Sequence, residues 1–113
     1  MSVKEFIEQL KLAIARFIPH LTLKIIEENP HRFKGRIKLA SGRNVDVFYG
    51  SKKTRIDFAL IDGNQRIWGV DNLGGWHFHP IGNEKEHITA KYTSVDQIVR
   101  ELKGVIEKLN END

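Results

Sequence analysis

The spacing of apolar residues changes twice along the chain, and this change constrains the fold more than any other feature. Apolar residues recur at helical spacing over residues 3–18 and again over residues 95–109. Each stripe follows a helix-capping signal. The capping pairs are Ser2 with Glu5 and Ser94 with Gln97. The sequence therefore predicts an amphipathic helix near each end of the chain.

Between the two stripes the apolar period is two, which is typical of strands with one buried face. Four such segments end near residue 61, a fifth covers Gln65–Asp71, and Trp76–His79 is a candidate sixth. Closely spaced turn sequences separate them, as in a meander of hairpins. We expect an α+β fold in which the N- and C-terminal helices pack on one face of a five- or six-stranded antiparallel meander sheet. At 113 residues the chain is predicted to form a single domain, 1–113.

The amino-acid composition excludes several kinds of site and partner. The chain has no cysteine, which excludes disulfides, iron–sulfur clusters and thiolate zinc sites. No stretch has the apolar length of a signal peptide or a membrane span, so we expect a cytoplasmic protein with no membrane partner. A net charge of +3 favours a polyanionic partner only weakly.

The hairpin around Asp62-Gly63-Asn64 predicts which side chains share a face. If these three residues form the loop, Ile61 lies opposite Gln65 and Phe58 lies opposite Trp68. The same register places a set of polar side chains on the face away from the helices. This set is Arg55, Asp57 and Asp71, with Arg36, Lys38 and Asp46 of earlier strands.

Three of the five histidines, His77, His79 and His87, lie within eleven residues. Imidazole titrates near neutral pH, so two of them can act as base and acid in one reaction. In RNA cleavage one would take the proton of the 2′-hydroxyl, and the other would protonate the leaving 5′-oxygen. Two alternatives remain open: the histidines decorate a solvated strand end, or His77, His79 and His87 with a carboxylate bind zinc, manganese or iron.

Cationic and aromatic residues supply candidate substrate contacts. Arg55, Lys38 or Arg66 could neutralise charge developing on a phosphate. Trp68, Trp76 and, if exposed, Phe48 could stack on bases, although core packing is the alternative for both tryptophans. The substrate-binding candidates are Arg66, Asn72, Trp68, Lys38, His87 and Asp57.

The segment from Arg55 to His87 resembles the TumE-type toxins of toxin–antitoxin systems. The residues that carry the resemblance are Arg66-Ile67-Trp68-Gly69-Val70-Asp71-Asn72, then His77-Phe78-His79-Pro80, then His87. The resemblance implies a ribonuclease activity, a fold of a helix followed by an antiparallel sheet, and a separate helix-turn-helix antitoxin as partner.

The leading hypothesis is a metal-independent endoribonuclease, the toxin of such a pair, without a cofactor. His77 and His79 are its predicted acid and base, Asp71 orients one of them, and Arg55 contacts the phosphate. Its rivals are a non-catalytic module that binds protein or nucleic acid, and a domain with a His/Asp metal site. An exposed sheet edge also favours pairing into a homodimer.

Overall fold

The structure, a computed structural model, describes residues 1–82, 88–89 and 94–109. Helix α1 covers Val3–Phe17 and helix α2 covers Val95–Lys108. Ser2 caps α1 in a full capping box with Glu5, and the Ser94 hydroxyl accepts the Gln97 N–H at the start of α2. Both predicted helices are confirmed, with their capping residues.

The strands follow one another in space as they do along the chain. The described part of the sheet has seven antiparallel strands in the order β1 to β7. They are β1 (Leu23–Glu28), β2 (Arg32–Lys38), β3 (Asn44–Gly50), β4 (Arg55–Asp62), β5 (Gln65–Asp71), β6 (His77–His79) and β7 (Ile88–Thr89). The predicted α+β meander is therefore confirmed, and the two-residue β7 extends it by one strand.

Apolar side chains from both helices and from one face of the sheet form the core. Phe6 stacks on Tyr49 with ring centroids 4.6 Å apart, and Trp68, Phe58 and Leu102 are fully buried. The burial of apolar side chains makes the main favourable contribution to the folding free energy of a small domain. Because both helices lie on this side, no helix among the described residues covers the opposite side of the sheet, and we call that side the open face.

The register of β4 on β5 differs from the predicted one. Phe58 pairs with Val70 and Leu60 with Trp68, so the predicted partner of Phe58 is wrong by two residues, while Ile61 pairs with Arg66, one residue from the predicted Gln65. The loop is two residues long, Gly63 and Asn64, and Ile67 is an extra residue in a bulge. An error of two preserves the faces, because side chains alternate with period two.

Two further expectations concern the membrane and a second copy of the chain. No helix in the described residues is long and apolar enough to cross a membrane. Strand β1 forms one edge of the sheet and exposes Ile25 and Ile26 beside an irregularity in its pairing with β2. The expected homodimer through a sheet edge stays a prediction.

Candidate active site

Two rows of side chains cross the open face at right angles to the strands. One row runs through Lys34, Phe48, Asp57, Asp71 and His77, each the cross-strand partner of the next. The neighbouring row runs through Asp46, Ala59, Gly69 and His79. Partners in adjacent strands lie about 5 Å apart. The predicted face of Arg55, Asp57, Asp71, Arg36, Lys38 and Asp46 is thus the open face.

The rows bring five polar side chains together on β4, β5 and β6, and we call them the histidine–aspartate cluster. The cluster comprises Asp57, Asp71, Arg66, His77 and His79. Gly69, which has no side chain, leaves space for the cluster. A Cβ at Gly69 would lie 3.1 Å from the Arg66 side chain and 3.6 Å from the His79 ring. Gly69 therefore lets Arg66 lie close over the sheet.

His79 is fixed between two charged groups. Its side chain is 1% exposed. Arg66 lies 3.2 Å from Nδ1, and Asp71 Oδ2 lies 3.0 Å from Nε2. A guanidinium only donates, so Nδ1 accepts from Arg66, and Nε2 carries the proton that is donated to Asp71. The ring is thereby held as one neutral tautomer.

His77 is more accessible than His79. Its side chain is 28% exposed, and its Nδ1 lies 3.9 Å from Asp71 Oδ1. Asp71 is itself positioned by the Leu73 N–H, which donates to the same Oδ1 at 3.1 Å. Asp71 therefore lies between the two histidines, with one oxygen directed toward each.

Asp57 lies on the other side of Asp71, as its cross-strand partner. Burial raises the pKa of the Asp57 carboxyl above its usual range, and the nearby Asp71 carboxylate raises it further. Arg55, whose guanidinium is 3.6 Å from the Asp57 carboxylate, lowers this pKa, as does Arg66. A carboxyl with a raised pKa beside a histidine is typical of acid–base sites.

A hollow of about 450 Å³ extends from Asp57 over strands β1 to β4. Its lining includes Lys34, Arg36 and Phe48 above the small residue Ala59. His77 and His79 lie on β6, beyond the edge of this hollow. The open face thus combines a hollow, lined by the cationic Lys34 and Arg36 and the acidic Asp46 and Asp57, with an adjoining acid–base cluster.

The outward positions of β2 are all basic. They are Arg32, Lys34, Arg36 and Lys38. Arg36 donates to Asp46 at 2.9 Å, and Arg32 lies 3.8 Å from Glu27. This stripe adds positive charge along one side of the hollow, which suits a polyanionic ligand.

The structure removes one of the predicted substrate contacts. Trp68 is fully buried on the core face, so the prediction that it contacts substrate is wrong. Asn72 accepts from the Ile56 N–H and donates to the Thr54 carbonyl, both at 2.8 Å. Its amide therefore holds the start of β4, and its contact with substrate stays a prediction.

The other predicted residues divide between the cluster and its surroundings. Arg55 borders Asp57, while Lys38 is exposed at the far end of β2, outside the cluster. His87 lies outside the described residues. The described residues contain no group of three or more His, Asp and Glu side chains arranged to hold a metal ion.

Sequence reasoning gave too little weight to Phe48, Arg32 and Lys34. Alternation along β2 and β3 places all three on the open face, and this signal is readable in the sequence.

The chain matches no known protein family, no curated protein and no solved structure.

Proposed function

We propose that the protein is an endoribonuclease whose site is the histidine–aspartate cluster. The observation that carries this proposal is the row Asp57–Asp71–His77 beside Arg55 and Arg66. It offers two proton-transfer groups and cationic groups next to an open, basic surface. RNA fits this chemistry because its 2′-hydroxyl is a built-in nucleophile that a general base can activate.

The geometry favours different roles for the two histidines. His79 uses both ring nitrogens to hold Arg66 and Asp71, so we propose it as a positioning residue. His77, which is more exposed, is the proposed general acid, and Asp57 is the proposed general base. Asp71 orients His77.

The proposed reaction is a transesterification. Asp57 takes the proton of the 2′-hydroxyl as the 2′-oxygen bonds to phosphorus. The bond from phosphorus to the 5′-oxygen breaks, and His77 gives its proton to that oxygen. Arg55 stabilises the charge on the phosphate oxygens. The products are a 2′,3′-cyclic phosphate and a 5′-hydroxyl, and water later restores the protonation states.

The resemblance to TumE-type toxins extends this proposal to a cellular role. A toxin of this kind would arrest growth by cleaving RNA, and a helix-turn-helix antitoxin would restrain it by covering the open face. Expression with and without the neighbouring gene tests this role through growth and total RNA integrity.

The activity itself is tested with purified protein and a labelled RNA. We expect cleavage that leaves a 2′,3′-cyclic phosphate, that continues in EDTA, and that stops when the nucleotide at the cut carries no 2′-hydroxyl. His77→Ala and Asp57→Asn should each slow cleavage by about 100-fold or more. His20→Gln, at an exposed histidine outside the cluster, is the matched control.

Each outcome decides between the rival functions. Intact RNA with the parent protein, or equal rates for parent and His77→Ala, would overturn the endoribonuclease proposal. RNA binding without cleavage would favour the non-catalytic module instead. Loss of cleavage in EDTA, restored by one added metal, would favour a metal site.

A further inference from the structure

Phe48 is an aromatic ring on the open face, where strand alternation usually places polar groups. It is half-buried and lies next to Asp57 in the row that leads to His77. Gly50 supports it from below, since a Cβ at that position would lie 3.3 Å from two carbons of the ring. The ring is therefore held in place without entering the core.

Two arginines lie over this ring in cation–π contact. The guanidinium carbon of Arg32 lies 5.8 Å from the ring centroid and that of Arg55 lies 5.7 Å from it. These residues belong to β2 and β4 and are the cross-strand partners of Gly50 from either side. An aromatic ring between two arginines combines a stacking surface with groups that bind phosphate.

The surrounding charge favours the same ligand. Lys34, the cross-strand partner of Phe48, lines the hollow beside the ring. Among the described residues, Lys34 has no acidic side chain within ion-pair distance, so its charge remains available to a polyanion. Proteins that bind single-stranded nucleic acid combine a basic groove with aromatic rings on which bases stack.

We propose that Phe48, between Arg32 and Arg55, is a base-stacking platform that restricts the substrate to single-stranded RNA. The base next to the scissile phosphate lies on the ring. Arg55 holds the scissile phosphate, and Arg32 holds the phosphate on the other side of the stacked nucleotide. In a duplex the bases are paired and stacked on one another, so none can reach the ring. This inference rests on the proposed endoribonuclease function and adds the form of RNA that it accepts.

Position along the row explains why the platform serves the reaction. Phe48 and Asp57 are partners in adjacent strands, about 5 Å apart. A nucleotide stacked on Phe48 therefore presents its sugar and phosphate toward Asp57 and His77. Stacking at this distance positions the reacting groups, as well as adding affinity.

The test measures binding separately from cleavage. The probes are fluorescent RNA oligonucleotides with 2′-O-methyl groups, which cannot be cut by 2′-oxygen attack, in single-stranded and duplex form. Fluorescence anisotropy gives the Kd of each for the parent and for Phe48→Leu. We expect the parent to prefer the single strand by at least about tenfold, and Phe48→Leu to lose roughly 5- to 100-fold in single-strand affinity.

Phe17 provides a matched control within the same chain. Its ring also lies near two arginines, Arg16 at 6.0 Å and Arg100 at 5.6 Å, but it packs against the core from α1. Phe17→Leu should leave both affinities unchanged. Phe48→Trp, which keeps a ring, should restore the preference for the single strand. Circular dichroism checks that every variant is folded.

A second readout concerns the stacked base itself. An abasic nucleotide scanned along the single strand should weaken binding at one position for the parent, and at no position for Phe48→Leu. Equal affinities for parent, Phe48→Leu and Phe17→Leu would overturn the platform. A Phe48-dependent preference for single strands without any cleavage of ordinary RNA would keep the platform and overturn the endoribonuclease instead.

Discussion

His79 lies between Arg66 and Asp71 and is almost fully buried. Its position two residues from His77 suggested a matched acid and base. The structure buries it, with Arg66 donating to one nitrogen and Asp71 accepting from the other. A buried imidazole held this way orients its neighbours, because exchanging its proton would break a charge-assisted hydrogen bond.

The two histidines should therefore differ in their effect on stability. His79→Ala leaves Arg66 and Asp71 without their shared partner in a poorly solvated place, and we expect a loss of about 2–4 kcal/mol in the free energy of unfolding. His77→Ala, at a more exposed side chain, should cost less than about 1 kcal/mol. Urea unfolding followed by circular dichroism measures both. Equal losses for the two variants would contradict the assigned roles.

Asp57 gives a prediction with a defined dependence on pH. Its folded pKa is raised, so the ionised carboxylate is disfavoured in the folded protein. The stability that it contributes is present below the pKa of an unfolded aspartate and is lost as the pH rises through the folded value. Asp57→Asn should therefore be more stable than the parent at pH 7, and this advantage should vanish near pH 3.

The control for this prediction is a second carboxylate of the open face. Asp46 accepts from Arg36 and from Asn44, so Asp46→Asn should bring no gain in stability at pH 7. Urea unfolding curves at both pH values supply the measurement. A gain for Asp57→Asn that persists unchanged at pH 3 would show that its cause is not the ionised carboxylate.

Within the strands, the alternation of side chains predicted the two faces of the sheet correctly. The bulge in β5 could not be predicted from the sequence. Strict alternation from Trp68 would point Arg66 into the core. The extra residue, Ile67, turns Arg66 to the open face, where it reaches His79. A bulge depends on how two strands settle against each other, and the sequence of one strand does not encode that fit.

The same limit explains Asn72. Asp71 and Asn72 both carry the family resemblance, and Asp71 alone of the two belongs to the histidine–aspartate cluster. The Asn72 amide bridges Thr54 and Ile56 across the neighbouring strand. That contact forms because the β3–β4 turn returns to the end of β5, which is a property of the folded meander.

Two glycines test the packing of the elements in opposite directions. A Cβ at Gly35 in β2 would lie 2.5 Å from Phe33 Cζ and 2.9 Å from Leu23 Cδ1, so Gly35→Ala should cost about 1–3 kcal/mol. Gly104 lies inside α2 with open space around it, so Gly104→Ala should add about 0.5–1 kcal/mol. Thermal unfolding of both variants provides the comparison. A loss for Gly104→Ala would contradict the described packing of α2.

At the scale of the whole molecule, one face of the sheet is committed to stability and the other is available for function. Both helices cover the core face, and the histidine–aspartate cluster, the basic side of β2 and Phe48 share the uncovered one. The order of the elements and the uncovered face were predictable from hydrophobic period. The different roles proposed for the residues of the cluster could be distinguished only from the register and burial of each side chain.

The proposal that Asp57 and His77 exchange protons with RNA is tested by the dependence of kcat/KM on pH. The parent should give a bell-shaped profile, because the proposed base must be ionised and the proposed acid protonated. Asp57→Asn should lose the acidic limb and His77→Ala the alkaline limb, each with a much reduced maximum. Absence of cleavage at every pH, or a bell that survives both substitutions, would contradict the claim.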